Sequence, residues 1–99
     1  MIADRRPLPV HFGNRLRVCR NRAEISQEAL GKMTALHRTE IGMLERGERE
    51  PQLSTIIKLA DALEIPLHKL IGEIGWNFEG AGSGEFEFRN LRDVPSRPR

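Results

Sequence analysis

The 99-residue sequence holds one cysteine, no tyrosine, one tryptophan and four phenylalanines. The lone thiol of Cys19 excludes an internal disulfide framework and fits a reducing compartment, so a cytoplasmic location is expected. No apolar run approaches the roughly 18 residues that a membrane-spanning helix requires. The opening MIADRRPLPV is charged and has no apolar h-region, which argues against a secretory signal. The histidines His11, His37 and His68 have no metal-ligand spacing with one another or with Cys19. They are expected at surface or capping positions, with no metal site, and Cys19 is expected to be an inert part of the core. Also missing are a nucleophile–base set and a glycine loop able to cradle phosphate, so neither enzymatic activity nor a cofactor is expected.

A strong excess of one charge is absent as well. The net charge is +2, with ten Lys/Arg against seven Asp/Glu in residues 1–50 and six against seven in residues 51–99. The resulting tilt of +3 against −1 permits a nucleic-acid partner for the N-terminal half without demanding one.

At 38% hydrophobic and 30% charged residues, the composition is that of a folded globular chain. Phe12, Leu16, Cys19 and Ala23 recur at helical spacing and predict a first helix from Val10 to Ala23, with Arg15, Arg17 and Arg22 on its wet faces and Arg20 beside the apolar stripe. ISQEALGKM reads as a second short helix capped by Ser26, with Glu28 suiting the positive end of its dipole. A third helix is expected from about Arg38 to Arg46, stopped by Gly47. Pro51 precedes a fourth, from Leu53 to Leu63, with Leu53, Ile56, Ile57, Ala60 and Leu63 as its apolar face. Pro66 opens a fifth, in which Leu67, Leu70, Ile71 and Ile74 face inward. After Gly75, Trp76/Phe78 and Phe86/Phe88 alternate with polar residues around EGAGSGE, which predicts a β-hairpin. The expected organisation is an all-α, five-helix domain over residues 10–74. A flexible arm over 1–9 precedes it, and an aromatic hairpin and frayed tail over 75–99 follow.

The third helix has an unusual surface. At about 100° per residue, Ile41 and Leu44 point to one side, while Arg38, Thr39, Gly42, Met43 and Arg46 gather opposite them. Such a face fits a DNA major groove, where arginine bonds guanine O6/N7 and Thr or Met touches thymine methyls.

The stretch LRVCRNRAEISQEALGKMTALHRTEIGMLERGEREPQLSTIIKLADALEIPLHKLIG resembles the Xre-type helix-turn-helix proteins, which include the lambdoid phage repressors and Cro proteins. The most specific segments are SQEAL, LHRTEIGMLERGEREP and LSTIIKLADAL, and the resemblance runs from Phe12 to Gly72. It implies a compact repressor-like fold and a homodimer that binds a pseudo-palindromic operator in double-stranded DNA as a transcriptional regulator, a repressor. By the same resemblance Arg38, Thr39 and Met43 contact bases, and Gln27, Arg46 and Arg49 contact phosphates. Arg20 and Glu45 match a partly buried ion pair between helices 1 and 3.

Several residues depart from the family pattern. Ala35 stands where the turn before helix 3 usually has glycine, and Glu40 is acidic at a position often facing phosphate. His37 replaces the usual Ser or Thr at the cap of helix 3, while Gly31 supplies the small residue within helix 2. Two other functions are compatible with this sequence: an antitoxin holding a protein partner through its C-terminal segment, and a protein-interaction module with little DNA specificity. The hairpin itself is open to three roles: capping the helical core, dimerisation, or sensing a small molecule.

Overall fold

In the computed structural model, which describes residues 6–89, helix α1 spans Leu8–Arg22. It starts ahead of the expected Val10 because Pro7 and Pro9 are tolerated at a helix start, where backbone N–H groups have no intrahelical partner. The Pro7 carbonyl accepts from the N–H groups of Val10 and His11. Helix α2, Gln27–Thr34, is capped by Ser26, whose Oγ accepts from the Ala29 N–H at 3.0 Å. Helices α3 (Arg38–Glu45), α4 (Leu53–Ala62) and α5 (Leu67–Ile71) follow as expected in order and close to the expected bounds.

The core draws on every helix. Phe12, Leu16 and Cys19 come from α1, Leu30 from α2, Ile41 and Leu44 from α3, Leu59 and Ala60 from α4 and Leu70 from α5, with Leu63 closing α4. Helix α1 packs on α3 and α5, α2 on α3 and α4, and α4 on α5. Gly13 permits the close approach of α1 to α3: a Cβ there would lie 2.4 Å from the Leu44 carbonyl oxygen.

Several sequence expectations need correction. Leu53 and Ile57 are exposed, because the buried stripe of this segment is Leu59, Ala60 and Leu63, with Ile56 partly buried beside it. Ile57 lies about 100° around the helix from Ile56, and Leu53 sits in the first turn. Leu67 is likewise exposed. Ile74 belongs to a strand, since Gly72 ends α5 with φ 83° and ψ −172°, a backbone region essentially reserved for glycine. Arg15 is buried, not wet: its Nε donates to the Leu70 carbonyl at 3.1 Å and its Nη2 to the Lys69 carbonyl at 2.7 Å. It therefore satisfies carbonyls at the end of α5, where a cation also complements the helix dipole. His11 is buried too, stacked on Phe88 with ring centroids 4.2 Å apart. Its Nε2 donates to the Ile71 carbonyl at 2.8 Å, which assigns the proton to that nitrogen because a carbonyl can only accept.

Strands β1 (Glu73–Gly80) and β2 (Ser83–Arg89) form the expected antiparallel hairpin, with Ile74 opposite Phe88, Trp76 opposite Phe86 and Phe78 opposite Gly84. The turn uses positive φ at Ala81 and Gly82, the twist that suits a tight hairpin. With eight and seven residues in its strands, the hairpin is a substantial element. The all-α description therefore holds for the helical unit but not for the whole chain. The arm at residues 1–5 and the tail at 90–99 lie outside the described residues.

Candidate nucleic-acid interface

Helices α2 and α3 are joined by Ala35, Leu36 and His37, and the short turn is what lets α3 project. Ala35 takes the left-handed conformation, φ 60° and ψ 33°, to end α2. Alanine there costs about 1 kcal/mol relative to glycine, because its Cβ crowds the following carbonyl. Gly31 makes the turn possible sterically: a Cβ on it would lie 2.6 Å from the Leu36 carbonyl oxygen. The Leu36 N–H bonds that same Gly31 carbonyl at 2.8 Å.

His37 caps α3. Its Nδ1 accepts from the Thr39 N–H at 3.0 Å and lies 2.9 Å from the Thr39 hydroxyl. Nδ1 must be unprotonated to accept, so the hydroxyl donates to it as well. Thr39 is exposed, with its hydroxyl held back against the cap. The other end of α3 closes with Gly47 at φ 72°. Its N–H bonds the Leu44 carbonyl and the Glu48 N–H bonds the Met43 carbonyl, the paired arrangement of a Schellman cap.

The face so positioned is close to the one read from the sequence, with one correction. Arg38, Thr39 and Arg46 are exposed and Met43 is half-buried, but Gly42 is covered. The Arg46 side chain lies over it, and a Cβ at Gly42 would meet Nη1 at 3.0 Å and Gln27 Oε1 at 3.8 Å. The glycine thus makes room for the guanidinium and for Gln27 at the flank of α3.

Beneath this face, Glu45 is 5% exposed and is held by three side-chain hydrogen bonds. Arg20 grips it with Nε and Nη2, the latter at 3.0 Å, and Gln27 Nε2 donates to its Oε1 at 3.1 Å. Arg20 Nη1 also donates to the Ile25 carbonyl at 2.9 Å. The bidentate geometry fixes α3 against α1, as the resemblance implied. Gln27 belongs to this brace.

The cations around the face each have a carboxylate partner, a feature that sequence reasoning missed. Arg38 lies 3.6 Å from Glu28, Arg46 bonds Glu48 at 2.6 Å, and Arg49 bonds Glu40 at 3.1 Å. The bond from Arg46 holds the Glu48 carboxyl below its ordinary range. Glu40, the acidic departure, thus has an identified partner. Glu28 and Glu48 have little sequence signal beyond lying near arginines. Exposed pairs of this kind contribute little to stability and exchange readily for other anions.

Among the described residues, no group of His, Cys, Asp and Glu could hold a metal ion, and no helix is long and apolar enough to cross a membrane. Burial pushes the Cys19 thiol above its ordinary value, with Arg15 and Arg22 opposing the shift. That is the behaviour of a core residue, not of a nucleophile.

Comparison with known proteins agrees with this geometry. The HTH_3 helix-turn-helix family profile matches residues 16–70. The control protein C.SmaI of Serratia marcescens is 47% identical over 60 residues, covering 61% of this chain and 71% of that protein. The restriction-modification controller protein C.AhdI from Aeromonas hydrophila superposes with a TM-score of 0.61 at 44% identity, over 63% of this chain and 94% of that one. The P22 c2 repressor, crystallised with a synthetic operator, gives a TM-score of 0.56 at 36% identity, over 60% of this chain and 89% of that one. The hairpin lies beyond the family match. With the motif, the capped turn and the outer face of the third helix all in place, the chain belongs to the HTH_3 helix-turn-helix family of DNA-binding transcription regulators.

Proposed function

We propose that this protein is a homodimeric, sequence-specific repressor that acts in the cytoplasm by placing α3 in the major groove of double-stranded DNA. The observation that carries the reading is the outer face of α3, where Arg38, Thr39 and Met43 stand over a helix clamped from behind by Arg20 and Glu45. Arg38 is the candidate for guanine O6/N7, and the exposed Thr39 and the Met43 side chain are candidates for thymine methyls. Gln27, Arg46 and Arg49 flank that face and would meet phosphates, which set register and carry no sequence information. Two copies would present their recognition helices about 34 Å apart, one turn of the duplex.

The identity to C.SmaI and C.AhdI favours a more specific version of this reading, in which the regulated genes are those of a restriction–modification system. The test is selection of bound fragments from genomic DNA, followed by gel shifts on the selected site at fixed salt. Wild type should prefer the selected site over a scrambled one. Arg38→Ala should lose about 1–3 kcal/mol of that preference. Equal affinity of wild type for both sequences would overturn the proposal, and a reporter that rises on expression of the protein would overturn the repressor role.

A further inference from the structure

The pleat of the hairpin puts Ile74, Trp76 and Phe78 of β1 on one face with Gly84, Phe86 and Phe88 of β2. Glu73, Asn77, Glu85, Glu87 and Arg89 occupy the other. The apolar face is docked only at its base, where Phe88 is buried against His11. Farther out it is uncovered: Phe86 is 42% exposed, Trp76 56% and Phe78 68%. Trp76 and Phe86 contact one another edge to face at 5.1 Å, so the outer half of the arm is an ordered aromatic surface that the rest of the described residues leave open.

At its base this surface runs into an apolar groove of about 350 Å³, lined by Leu8, Phe12, Leu53, Ile56, Ile71 and Phe86 among others. Roughly 150 Å³ accommodates a benzene ring, so the groove has room for an aromatic side chain. Phe78 of the same chain lies farther along the strand than Phe86, beyond the stretch of the face that borders the groove. One chain therefore carries both an aromatic knob and a hole of matching chemistry that it does not fill itself.

We infer that the occupant of the groove is the hairpin of a second copy of this chain, the two arms crossing about a two-fold axis so that each Phe78 enters the partner's groove beside Leu53. Such an interface is self-complementary, since the contact of Phe78 with Leu53 occurs twice. Leu53, at 69% exposure, together with Trp76, Phe78 and Phe86 leaves about 500 Å² of apolar side chain uncovered per protomer. A patch of that extent is at the upper end of what a monomer exposes, about 300–600 Å², and patches of this size are often functional. Covering it on both copies removes about 1,000 Å² from water, which meets the lower bound for a specific interface. The acidic outer face of the arm, with Glu73, Glu85 and Glu87, disfavours a phosphate backbone as the occupant. The proposal rests on the homodimer reading above and assigns its surface.

The experiment is sedimentation of the full chain without DNA across micromolar concentrations, for wild type, Phe78→Glu, Leu53→Lys and an equimolar mixture of the two variants. Both substitutions are at exposed positions, and unchanged far-ultraviolet circular dichroism would show that each variant folds. Wild type should be a dimer, each variant should weaken dimerisation by about 100-fold or more, and the mixture should dimerise again. In the mixed pair, the carboxylate introduced by Phe78→Glu on one chain meets the ammonium introduced by Leu53→Lys on the other, while the second arm and groove are wild type. A folded variant that remains dimeric, or a mixture that remains monomeric, overturns the arm-in-groove arrangement. A monomeric wild type overturns it together with the homodimer, while DNA preference, read separately by the fragment selection, stands or falls independently.

Discussion

Replacing Glu45 by alanine tests whether the clamp behind α3 carries the weight assigned to it. The carboxylate is buried, accepts from Arg20 through two nitrogens and from Gln27 through a third. Its removal leaves the Arg20 guanidinium, whose side chain is 13% exposed, with the neutral Ile25 carbonyl as its acceptor. Breaking a buried pair in this way costs about 3–5 kcal/mol, most of it the penalty of the charge left unpaired. A helical unit of this size has a total stability of about 3–10 kcal/mol, so Glu45→Ala should come close to unfolding. In urea, with a slope of about 1 kcal/mol per molar for a small domain, the midpoint should fall by about 3 M or the transition should vanish, and added osmolyte should restore it. The double substitution Arg20→Met with Glu45→Leu should recover most of the loss, because it removes both charges and keeps the volume. Gln27→Ala, which removes one bond and leaves the ion pair, should lose only about 1–2 kcal/mol. A loss below about 1 kcal/mol for Glu45→Ala, or strictly additive effects of Arg20→Ala and Glu45→Ala, would refute the reasoning.

Ala35→Gly should stabilise the protein by about 1 kcal/mol in the same denaturation assay, because glycine adopts the left-handed conformation there without a Cβ clash. Glu48→Gln and Glu40→Gln free Arg46 and Arg49 from their carboxylates, so each should raise affinity for scrambled DNA. The slope of log affinity against log salt should steepen by up to about one for each arginine newly engaged with phosphate, read by fluorescence anisotropy at several salt concentrations. Cys19 should react with a thiol reagent only at the rate of unfolding, far more slowly than in denaturant. Because its thiol is raised in the folded state, the stability it contributes is present below the ordinary thiol range. That contribution declines as pH rises from the unfolded value towards the higher folded one, a slope that Cys19→Ala should reduce in denaturation curves measured at alkaline pH.

Under the proposed function, the carboxylates beside the outer face of α3 bear on how such a protein discriminates. Arg38, Arg46 and Arg49 each have a carboxylate partner, so engaging any phosphate means exchanging one anion for another. Net attraction to arbitrary DNA is thereby reduced. Contacts that also match base edges gain relative weight, which is a route to specificity by lowering the competing affinity.

Local residue order accounts for the five helices, their sequence along the chain and the placement of Arg38, Thr39 and Met43 away from the buried Ile41 and Leu44 of α3. Apolar spacing, Ser26 and His37 as caps, and Gly47 as a stop act over one or two turns, so they are written in local residue order. The hairpin was legible for the same reason, in its two-residue alternation around a glycine-rich turn. Tertiary structure alone decided what became of long polar side chains and of marginal apolar ones. Arg15 and His11 look solvent-facing in sequence, but their buried roles depend on carbonyls of α5 more than fifty residues away. Leu53, Ile57 and Leu67 fit apolar stripes, yet they are exposed because no described neighbouring element covers that part of the helix. Gly13 and Gly42 are needed for the approach of α1 and for the lie of Arg46, which no local spacing encodes. Local patterns set which segments become helices or strands; packing between distant segments decides which residues are core, which are clamp and which are left to meet a partner.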